Sequence, residues 1–330
     1  MIGAEKTKQQ EPKMADGRGL RIGFDVGGTK IAICVLDAAD NYVFKTEAAT
    51  PRDDYPGFLD TAALLLKQAR LAVPAAAKAT IGAGIPGEID VTSNTVKNAN
   101  STCLIGHDLG TDLARVFGQE VRLANDAQCL IASEVHDGAA KGATVAFGVI
   151  LGTGVGGGVA VNGQPWRGGN RLAGEWGHNP FPSRDGEIIG SPCYCGRNNC
   201  IETVLSGPAL VAAYRDATAG ENAQLPQIEA MVADGDPVAR AVLSEYIDHL
   251  GNALATVVGV LDPDVIVIGG GVSSIASIYR ELPDRVAAHM FHSAPSKPRC
   301  TTSIVKSKWG PDSGVRGAAR LWPLPRKTIS

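Results

Sequence analysis

The sequence lacks the features by which membrane and secreted proteins are usually identified. No apolar run approaches the roughly 20 residues that a membrane-spanning helix needs, and the first 19 residues are polar and charged, without the apolar segment of a signal peptide. The formal net charge is only −3 at pH 7, so no concentrated basic face is expected for binding nucleic acid. These absences favour a cytoplasmic protein with neither a membrane nor a nucleic acid as partner.

Cysteine is scarce outside one cluster. The chain has 7 cysteines, an odd number without a secretion signal, which argues for reduced thiols and against a disulfide framework. The scattered ones are Cys34, Cys103, Cys129 and Cys300. The clustered ones are therefore candidates for a metal site.

The length and the local patterns predict an α/β protein of two lobes. At 330 residues the chain exceeds the size at which one hydrophobic core usually stops growing. Strands are predicted at residues 80–85, 121–123, 264–271 and 302–306, and helices at 58–73, 127–138, 206–214, 227–233, 237–260 and 314–321. This alternation favours α/β layers with mixed sheets. Residues 1–19 are expected to be a disordered tail.

Two predicted hairpins share one pattern. Residues 20–36 and residues 144–161 each consist of an apolar strand, a glycine-rich turn and a second apolar strand. We interpret this as a weak internal repeat, of the kind that arises when two lobes share one ancestral plan.

The turn DVGGTK, at residues 25–30, is a candidate phosphate site. Its glycines bring bare backbone N–H groups together, and such a concave turn binds anions. Its spacing differs from a Walker A loop, and no helix follows the glycines. A glycine hairpin can also be purely structural, and Asp25 either holds Mg²⁺ through water or caps the turn.

Two further glycine-lined segments strengthen the case for a nucleotide. They are LGTGVGGG at residues 151–158 and GGG at residues 269–271, the latter at the end of a predicted buried strand. Three such sites in one chain suggest a nucleotide, with Asp25 as a candidate for holding Mg²⁺. The candidate nucleotide-binding residues are Asp25, Gly27, Gly28, Thr29, Lys30, Thr153, Gly154, Gly269, Gly270 and Gly271.

Asn125 and Asp126, at the end of a predicted strand, are the best candidates for a reactive centre. A carboxylate there can accept the proton of an attacking hydroxyl, while the asparagine holds the neighbouring hydroxyl. From local sequence alone, Asp126 is equally well explained as the N-cap of the helix that follows.

The clustered cysteines follow a histidine in a pattern typical of zinc sites. His178 lies in GEWGHNP, and Cys193, Cys195 and Cys200 lie in CYCGRNNC. Three thiolates and one imidazole complete a tetrahedral Zn²⁺ site. A disulfide or three buried thiols is the alternative.

Carboxylates on either side of this cassette are candidates for binding sugar. Glu175 and Glu202 can each form paired hydrogen bonds with vicinal hydroxyls, and a zinc-bound His178 can still present a ring edge to substrate. Asn98 and Asn100 are further polar candidates, although a plain loop role explains them equally well.

Together these motifs resemble the ROK sugar kinases. The resemblance is carried by DVGGTKIA, GIPG, LANDA, ILGTGVGGG, GEWGHNP, CYCGRNNCIETVLSG, LDPDVIVIGGG and SGVRGAA, and it covers residues 20–322. Within the family, GEWGHNP, CYCG, IET and NANST are most similar to fructokinases that also act on mannose. The family often has glycine where this chain has Asn199, and asparagine tolerates the same left-handed backbone.

The resemblance implies a two-lobed, actin-like (ribonuclease-H-like) fold with ATP and sugar in the cleft, and a homodimer. The small lobe is expected at residues 20–123 plus 312–330, and the large lobe at 124–311 with a zinc loop at 178–200. Asp126 is implied to be the general base, and His178 with the three clustered cysteines to bind zinc. The implied sugar residues are Asn100, Asn125, Asp126, Glu175, His178 and Glu202.

The expected reaction is transfer of the γ-phosphoryl group of MgATP to the 6-hydroxyl of a hexose, with fructose and mannose as the leading substrates. An N-acetylated amino sugar or glucose is the alternative, and Trp176 is expected to influence this choice. A non-catalytic sugar sensor would leave Asp126 and the phosphate turns without a role. A repressor of the same family would need a DNA-binding domain before the first hairpin, where only about 20 polar residues stand.

Overall fold

The computed structural model describes residues 19–51, 53–99, 101–183, 187–292 and 299–322. Of the tail expected at residues 1–19, only Gly19 falls within these ranges, and the candidate sugar residue Asn100 lies outside them. None of the helices in this part of the chain is both long and apolar enough to cross a membrane.

Strands and helices alternate along the described chain. The strands are β1 (Arg21–Val26), β2 (Lys30–Leu36), β3 (Tyr42–Ala49), β4 (Thr80–Ile85), β5 (Glu88–Ile89), β6 (Val96–Lys97), β7 (Val121–Asn125), β8 (Val145–Leu151), β9 (Val155–Val161), β10 (Gln164–Trp166), β11 (Val265–Gly269) and β12 (Ser303–Lys306). The α-helices are α1 (Tyr55–Ala72), α2 (Leu109–Phe117), α3 (Asp126–Asp137), α4 (Ile201–Leu205), α5 (Gly207–Ala217), α6 (Leu225–Ala233), α7 (Pro237–Leu261), α8 (Ala276–His289) and α9 (Ser313–Ala318). This order confirms the α/β class.

Two five-stranded sheets repeat one plan. Their strand orders are β3-β2-β1-β4-β7 and β10-β9-β8-β11-β12. In each sheet the first three strands pair antiparallel and the last three pair parallel. The internal repeat predicted from the two glycine hairpins is therefore confirmed at the level of topology.

Burial explains why some strands were predictable and β3 was not. The inner strands β4 and β11 are almost continuously buried, as parallel strands covered on both faces usually are. At an edge of the first sheet, β3 alternates between half-buried and exposed residues, so its sequence, YVFKTEAA, carries little apolar signal.

Short elements were missed as well. Strands β5, β6 and β10 have only two or three residues, and helix α4 has five. The longer helices α2 and α8 were also missed, and α8 contains Pro283 in its interior.

The predicted element ends differ from the structure by a few residues. The strand expected at residues 264–271 ends at Gly269, because Gly270 has a φ of +83° and turns the chain away from the sheet. The helix expected at residues 314–321 begins at Ser313 and ends at Ala318. The boundaries of the two lobes stay a prediction.

Helices α3 and α9 connect the two sheets, because each packs on the sheet that it does not directly follow in sequence. α3 follows β7 of the first sheet but packs against β8 and β9 of the second. α9 follows β12 of the second sheet but packs against β1, β2 and β4 of the first. The two helices also pack against each other, so each sheet is covered by a helix that the other sheet's chain segment supplies.

Glycines allow these helices to lie unusually close to their neighbours. A Cβ atom at Gly317 of α9 would stand 1.7 Å from the carbonyl oxygen of Cys129 in α3. In the first sheet, a Cβ at Gly23 would stand 2.0 Å from the carbonyl of Val315. Backbone therefore contacts backbone both between the helices and where α9 covers its sheet.

A buried carboxylate fastens the far end of α3 to the chain that precedes α9. Glu134 is fully buried, and its oxygens accept hydrogen bonds from the Ser307 hydroxyl at 2.7 Å and the Trp309 backbone at 3.2 Å. The Ala139 backbone donates a third, at 2.7 Å. Because a buried charge is tolerated only when it is hydrogen-bonded, this cluster fixes the position of the segment.

We expect Gly317→Ala to destabilise the protein by about 3 kcal/mol or more, because the new methyl group would force α9 away from α3. The measurement is the midpoint of urea unfolding. Gly259→Ala is the control, since a Cβ added at Gly259 in α7 would meet no other described atom within 4 Å, and there alanine should stabilise by about 0.5 to 1 kcal/mol. Equal effects at the two positions would contradict the packing described.

Candidate active site

Three parallel strands of the first sheet end at one edge, where ligands of open α/β sheets usually bind. β1 pairs parallel with β4, and β4 pairs parallel with β7. Asp25 and Asn125 therefore lie at the same edge of the sheet, and Gly87, just beyond the end of β4, is held beside Asn125 by a hydrogen bond.

Asn125 is the N-cap of α3, and Asp126 is the first helical residue. The Asn125 Oδ1 atom accepts a hydrogen bond from the Ala127 N–H at 2.8 Å, and its Nδ2 atom donates to the Gly87 carbonyl at 3.1 Å. Asp126 Oδ1 accepts from the same Ala127 N–H at 2.7 Å, and Oδ2 has no hydrogen bond within the described ranges. The capping role considered for Asp126 thus belongs mainly to its neighbour, which leaves one carboxylate oxygen of Asp126 available.

A cavity of about 440 Å³ opens beside these residues. Its walls include every predicted sugar residue that the structure describes, namely Asn125, Asp126, Glu175, His178 and Glu202, together with Asn98, Thr153 and Gly154. Residues far apart in sequence are therefore brought together around one space.

Asp126 and Glu202 both adjoin the second glycine segment. A Cβ at Gly154 would lie 2.4 Å from Glu202 Oε2, and one at Gly156 would lie 3.9 Å from Asp126 Oδ1. The missing glycine side chains therefore leave open the space beside both carboxylates.

The predicted metal ligands form one group. The ligand atoms of His178, Cys193, Cys195 and Cys200 all lie within 4.8 Å of one another. His178 Nδ1 is 3.5 Å from Cys193 Sγ, and Cys195 Sγ is 3.6 Å from Cys200 Sγ. In a tetrahedral zinc site with ordinary bond lengths these separations are about 3.6 and 3.8 Å, so the four residues could hold zinc. The loop turns through Asn199, whose φ of +59° is the left-handed conformation expected there.

Tyr194 is a site residue that the sequence did not reveal. Its hydroxyl lies 3.0 Å from His178 Nε2, the nitrogen that does not face the cysteines, and its ring meets the imidazole edge to face. Tyr194 also lines the cavity. Its position between two predicted ligands, in CYCG, was the only available signal, because the pattern of metal ligands says nothing of the residue between them.

Glu88 is a second residue that the sequence analysis missed. It directly follows the Pro86-Gly87 strand end and lines the cavity. The pKa of Glu88 is raised to about 7, mainly by burial and secondly by repulsion from the Glu175 carboxylate. The pKa of Glu175 is also raised, mainly by burial and secondly by repulsion from the Asp126 carboxylate. The site therefore crowds acidic groups into a poorly solvated space, as functional sites often do.

The second and third glycine segments adjoin each other. A Cβ at Gly270 would lie 2.3 Å from the Leu151 carbonyl, and the Gly207 N–H at the start of α5 donates to the Gly152 carbonyl at 2.8 Å. Gly269 ends β11, and Gly271 begins a short 3₁₀ helix. Thr153 and Gly154 line the main cavity directly.

The first glycine turn lies outside the lining of this cavity. Gly28 lines a separate cavity of about 220 Å³, and Lys30 is paired with Glu47 at 2.8 Å. The turn is held by Thr50, whose hydroxyl donates to the Gly27 carbonyl and whose N–H donates to the Thr29 carbonyl. Asp25, which leads this turn, interacts electrostatically with the reactive centre. Its pKa is raised to about 7, mainly by burial and secondly by repulsion from the Asp126 carboxylate.

Trp176 is buried and does not line the cavity. Its indole N–H donates to the Gly156 carbonyl at 3.0 Å, and its ring packs edge to face on Phe147. It therefore supports the strand opposite Asp126, and the structure gives it no direct part in the expected choice of substrate.

Known proteins share both the sequence and the fold of this chain. A sequence model of the ROK family matches residues 21–324. The N-acetyl-D-glucosamine kinase of Yersinia pseudotuberculosis (serotype O:1b, strain IP 31758) is 38% identical over 304 residues, which are 91% of this chain and 97% of that protein. The N-acetyl-D-glucosamine kinase of Escherichia coli O139:H28 is 37% identical over 304 residues, with coverages of 91% and 98%. The solved ROK family glucokinase of Streptomyces griseus, in complex with glucose and AMPPNP, has a TM-score of 0.74 at 27% identity, covering 92% of this chain and 99% of that one. These similarities confirm the actin-like fold.

Replacing Cys195 with serine should abolish zinc binding, because a hydroxyl is a poor substitute for a thiolate ligand. We expect less than one equivalent of zinc per chain in the purified variant, measured by mass spectrometry of the metal, and a lower unfolding temperature. Cys103→Ser is the control, since Cys103 lies outside the group of ligands. A fully zinc-loaded Cys195→Ser variant would contradict the assignment.

Asp25→Asn should stabilise the ligand-free protein at pH 8. The pKa of Asp25 is raised to about 7, whereas an unfolded aspartate has a pKa of about 3.9, so the native state binds the extra proton and loses stability as pH rises between these values. We expect the variant to melt a few degrees higher at pH 8, with a smaller difference at pH 5. Asp216→Asn, at an exposed position, is the control, and an Asp25→Asn variant that melts at the wild-type temperature at pH 8 would refute the expectation.

Proposed function

The chain belongs to the ROK family, and we propose that it transfers the γ-phosphoryl group of ATP to the 6-hydroxyl group of N-acetyl-D-glucosamine. The observation that carries this substrate is the identity of 37 to 38% with N-acetyl-D-glucosamine kinases over nearly their whole length. Fructose and mannose, the leading substrates in the sequence analysis, have no comparable support among these relatives. The amino-sugar alternative is thus favoured over the main expectation.

Asp126 is proposed to be the general base. Asp126 lines the cavity, and burial raises its pKa, which makes the carboxylate a better proton acceptor than a solvated aspartate. It takes the proton of the 6-hydroxyl as the oxygen attacks the γ-phosphorus, and ADP leaves from the opposite side. Because phosphoryl transfer has a loose transition state, alignment and charge stabilisation supply most of the catalysis.

The other cavity residues are proposed to orient the sugar. Asn125 holds the hydroxyl next to the reactive one, because its amide is fixed by bonds to Gly87 and Ala127. Glu202 is fixed in turn, since Oε2 accepts a hydrogen bond from the Val155 N–H at 2.9 Å. Glu175 and His178 complete the wall that faces Asp126. Fixed partners reduce the entropy that is lost when substrate is aligned.

The glycine segments are proposed to bind ATP, with backbone N–H groups directed at phosphate oxygens. Asp25 would hold Mg²⁺ through water, and that ion would offset charge on the β- and γ-phosphates. His178 with Cys193, Cys195 and Cys200 would hold zinc as a structural ion. With Nδ1 committed to the metal, His178 keeps Nε2 for Tyr194 or substrate, which fixes the ring orientation.

The proposal is tested by ADP release with N-acetylglucosamine, N-acetylmannosamine, glucose, fructose and mannose at equal concentrations. We expect N-acetylglucosamine to have the highest kcat/KM. Asp126→Asn is the control for catalysis by this site, with kcat expected to fall by about two orders of magnitude or more while KM changes little. A higher kcat/KM for another sugar would overturn the substrate, and an active Asp126→Asn variant would overturn the base.

A further inference from the structure

A second cavity, the side cavity, adjoins the active site. It has a volume of about 350 Å³ and is lined by Gln128, Arg167, Arg171, Thr111 and Glu120, among others. Gly87, Glu88 and Asn125 line both this space and the sugar cavity. Because the two cavities share a wall, a substituent on a bound sugar can reach from one into the other.

The position of the shared wall selects which substituent can enter. In the proposed pose the 6-hydroxyl faces Asp126 and the adjacent 4-hydroxyl faces Asn125, so the next position around the ring is O3. The opposite end of the sugar faces His178 and Glu202, which do not line the side cavity. A group attached at O3 therefore points past Asn125 toward Gly87 and into the side cavity.

Two arginines give the side cavity unpaired positive charge. Within the described ranges, neither Arg167 nor Arg171 has a carboxylate oxygen within 4.0 Å. Arg167 donates one hydrogen bond to the Leu123 carbonyl at 2.8 Å, which fixes its side chain across the cavity. The remaining donors of a guanidinium are suited to a carboxylate, which they can bind through paired hydrogen bonds.

The acidic residues of the side cavity offset this charge only in part. Glu120 precedes β7 and lies at the strand end opposite Asn125, about 16 Å along the strand from the shared wall. Glu88 is on the shared wall itself, where burial and the Glu175 carboxylate raise its pKa to about 7, while the Arg167 guanidinium acts in the opposite direction. Near neutral pH Glu88 is therefore partly protonated and neutralises Arg167 incompletely.

Gln128 supplies an independent sign of a ligand. Its side chain is 5% exposed, and Oε1 has no hydrogen-bond partner among the described residues. Nε2 donates to the Ala173 carbonyl at 2.8 Å, which fixes the orientation of the amide. A buried carbonyl oxygen without a donor is unfavourable, so we expect an N–H or O–H donor in this space, from a ligand or from a water bound with it.

We propose that the side cavity binds a carboxylate carried as an ether on O3 of an N-acylated amino sugar, so that acidic amino sugars are substrates of this kinase. Arg167 and Arg171 pair with the carboxylate, and Gln128 Oε1 accepts a hydrogen bond from a water held beside it, because the ether carboxylate itself has no donor. The inference rests on the proposed function, since it uses the same sugar pose and the same transfer to O6. Atoms balance as before: ATP and the acidic sugar give ADP and its 6-phosphate, and the proton of the 6-hydroxyl passes to Asp126.

The test compares three substrates that differ in what they place in the side cavity. They are N-acetylglucosamine, its 3-O-lactyl ether (N-acetylmuramic acid) and the methyl ester of that ether, which removes the charge and adds one methyl group. ADP release and mass spectrometry of the product give KM and kcat for each. We expect the acid to be phosphorylated with a KM about fivefold or more below that of the ester, as loss of one partly exposed ion pair predicts.

Arg171 variants separate a charge effect from a general defect. Arg171→Gln should raise the KM of the acid about fivefold, and Arg171→Glu should raise it further, with kcat unchanged for both. The KM of N-acetylglucosamine should stay within about twofold. Arg115→Gln, which removes an exposed charge outside the cavity, should leave all three substrates unaffected.

The outcomes distinguish the inference from the proposed function. If N-acetylglucosamine is phosphorylated but the acid is neither a substrate nor a competitor, only the side-cavity inference is overturned. Equal KM values for acid and ester, or equal effects of Arg171→Glu on all substrates, would also overturn it. If the acid is phosphorylated and N-acetylglucosamine is not, the inference stands and the proposed substrate falls. If neither reacts, both fail.

Discussion

The backbone contact between α3 and α9 is the constraint on which the rest of the molecule depends. Helix α3 packs on the second sheet and helix α9 on the first. Because residue 317 is glycine, the backbones of the two helices can touch. The same helices begin at the reactive site: α3 starts at Asp126, and a Cβ at Gly314, in the first turn of α9, would lie 2.6 Å from Asp25 Oδ2. The packing that joins the two sheets therefore also sets the distance between two buried carboxylates.

Crowded acidic groups are the electrostatic consequence of this arrangement. Asp25, Asp126, Glu88 and Glu175 each have a raised pKa, with burial as the main cause. In the ligand-free protein this arrangement is unfavourable, and such strain is common where function needs charge in a confined space. A magnesium ion or the hydroxyl groups of a sugar would reduce the repulsion among these carboxylates. The site is therefore more stable with such ligands than without them.

The sequence was most informative where a pattern of residue types is compatible with only one kind of structure. The two glycine hairpins, the strands that lead to Asn125 and Gly269, and the grouping of the four candidate ligands agree with the structure, because few alternatives suit such patterns. Strand β3 was missed because an alternating edge strand has no apolar run. Glu88 and Tyr194 were missed for a different reason: each acts through neighbours that only the fold supplies. Trp176 was given a role in substrate choice because burial against Phe147 cannot be read from its surroundings in sequence.

The exchange of α3 and α9 also bears on how the chain is made. The first sheet is assembled from the N-terminal part of the chain, yet Gly23 and Gly82 pack directly against the backbone at Val315 and Ala318. A ribosome synthesises the N-terminal segments first, so this packing forms only after α9 has been synthesised. The first sheet is consequently completed late, and a nascent chain that stalls before α9 presents an uncovered apolar surface to chaperones.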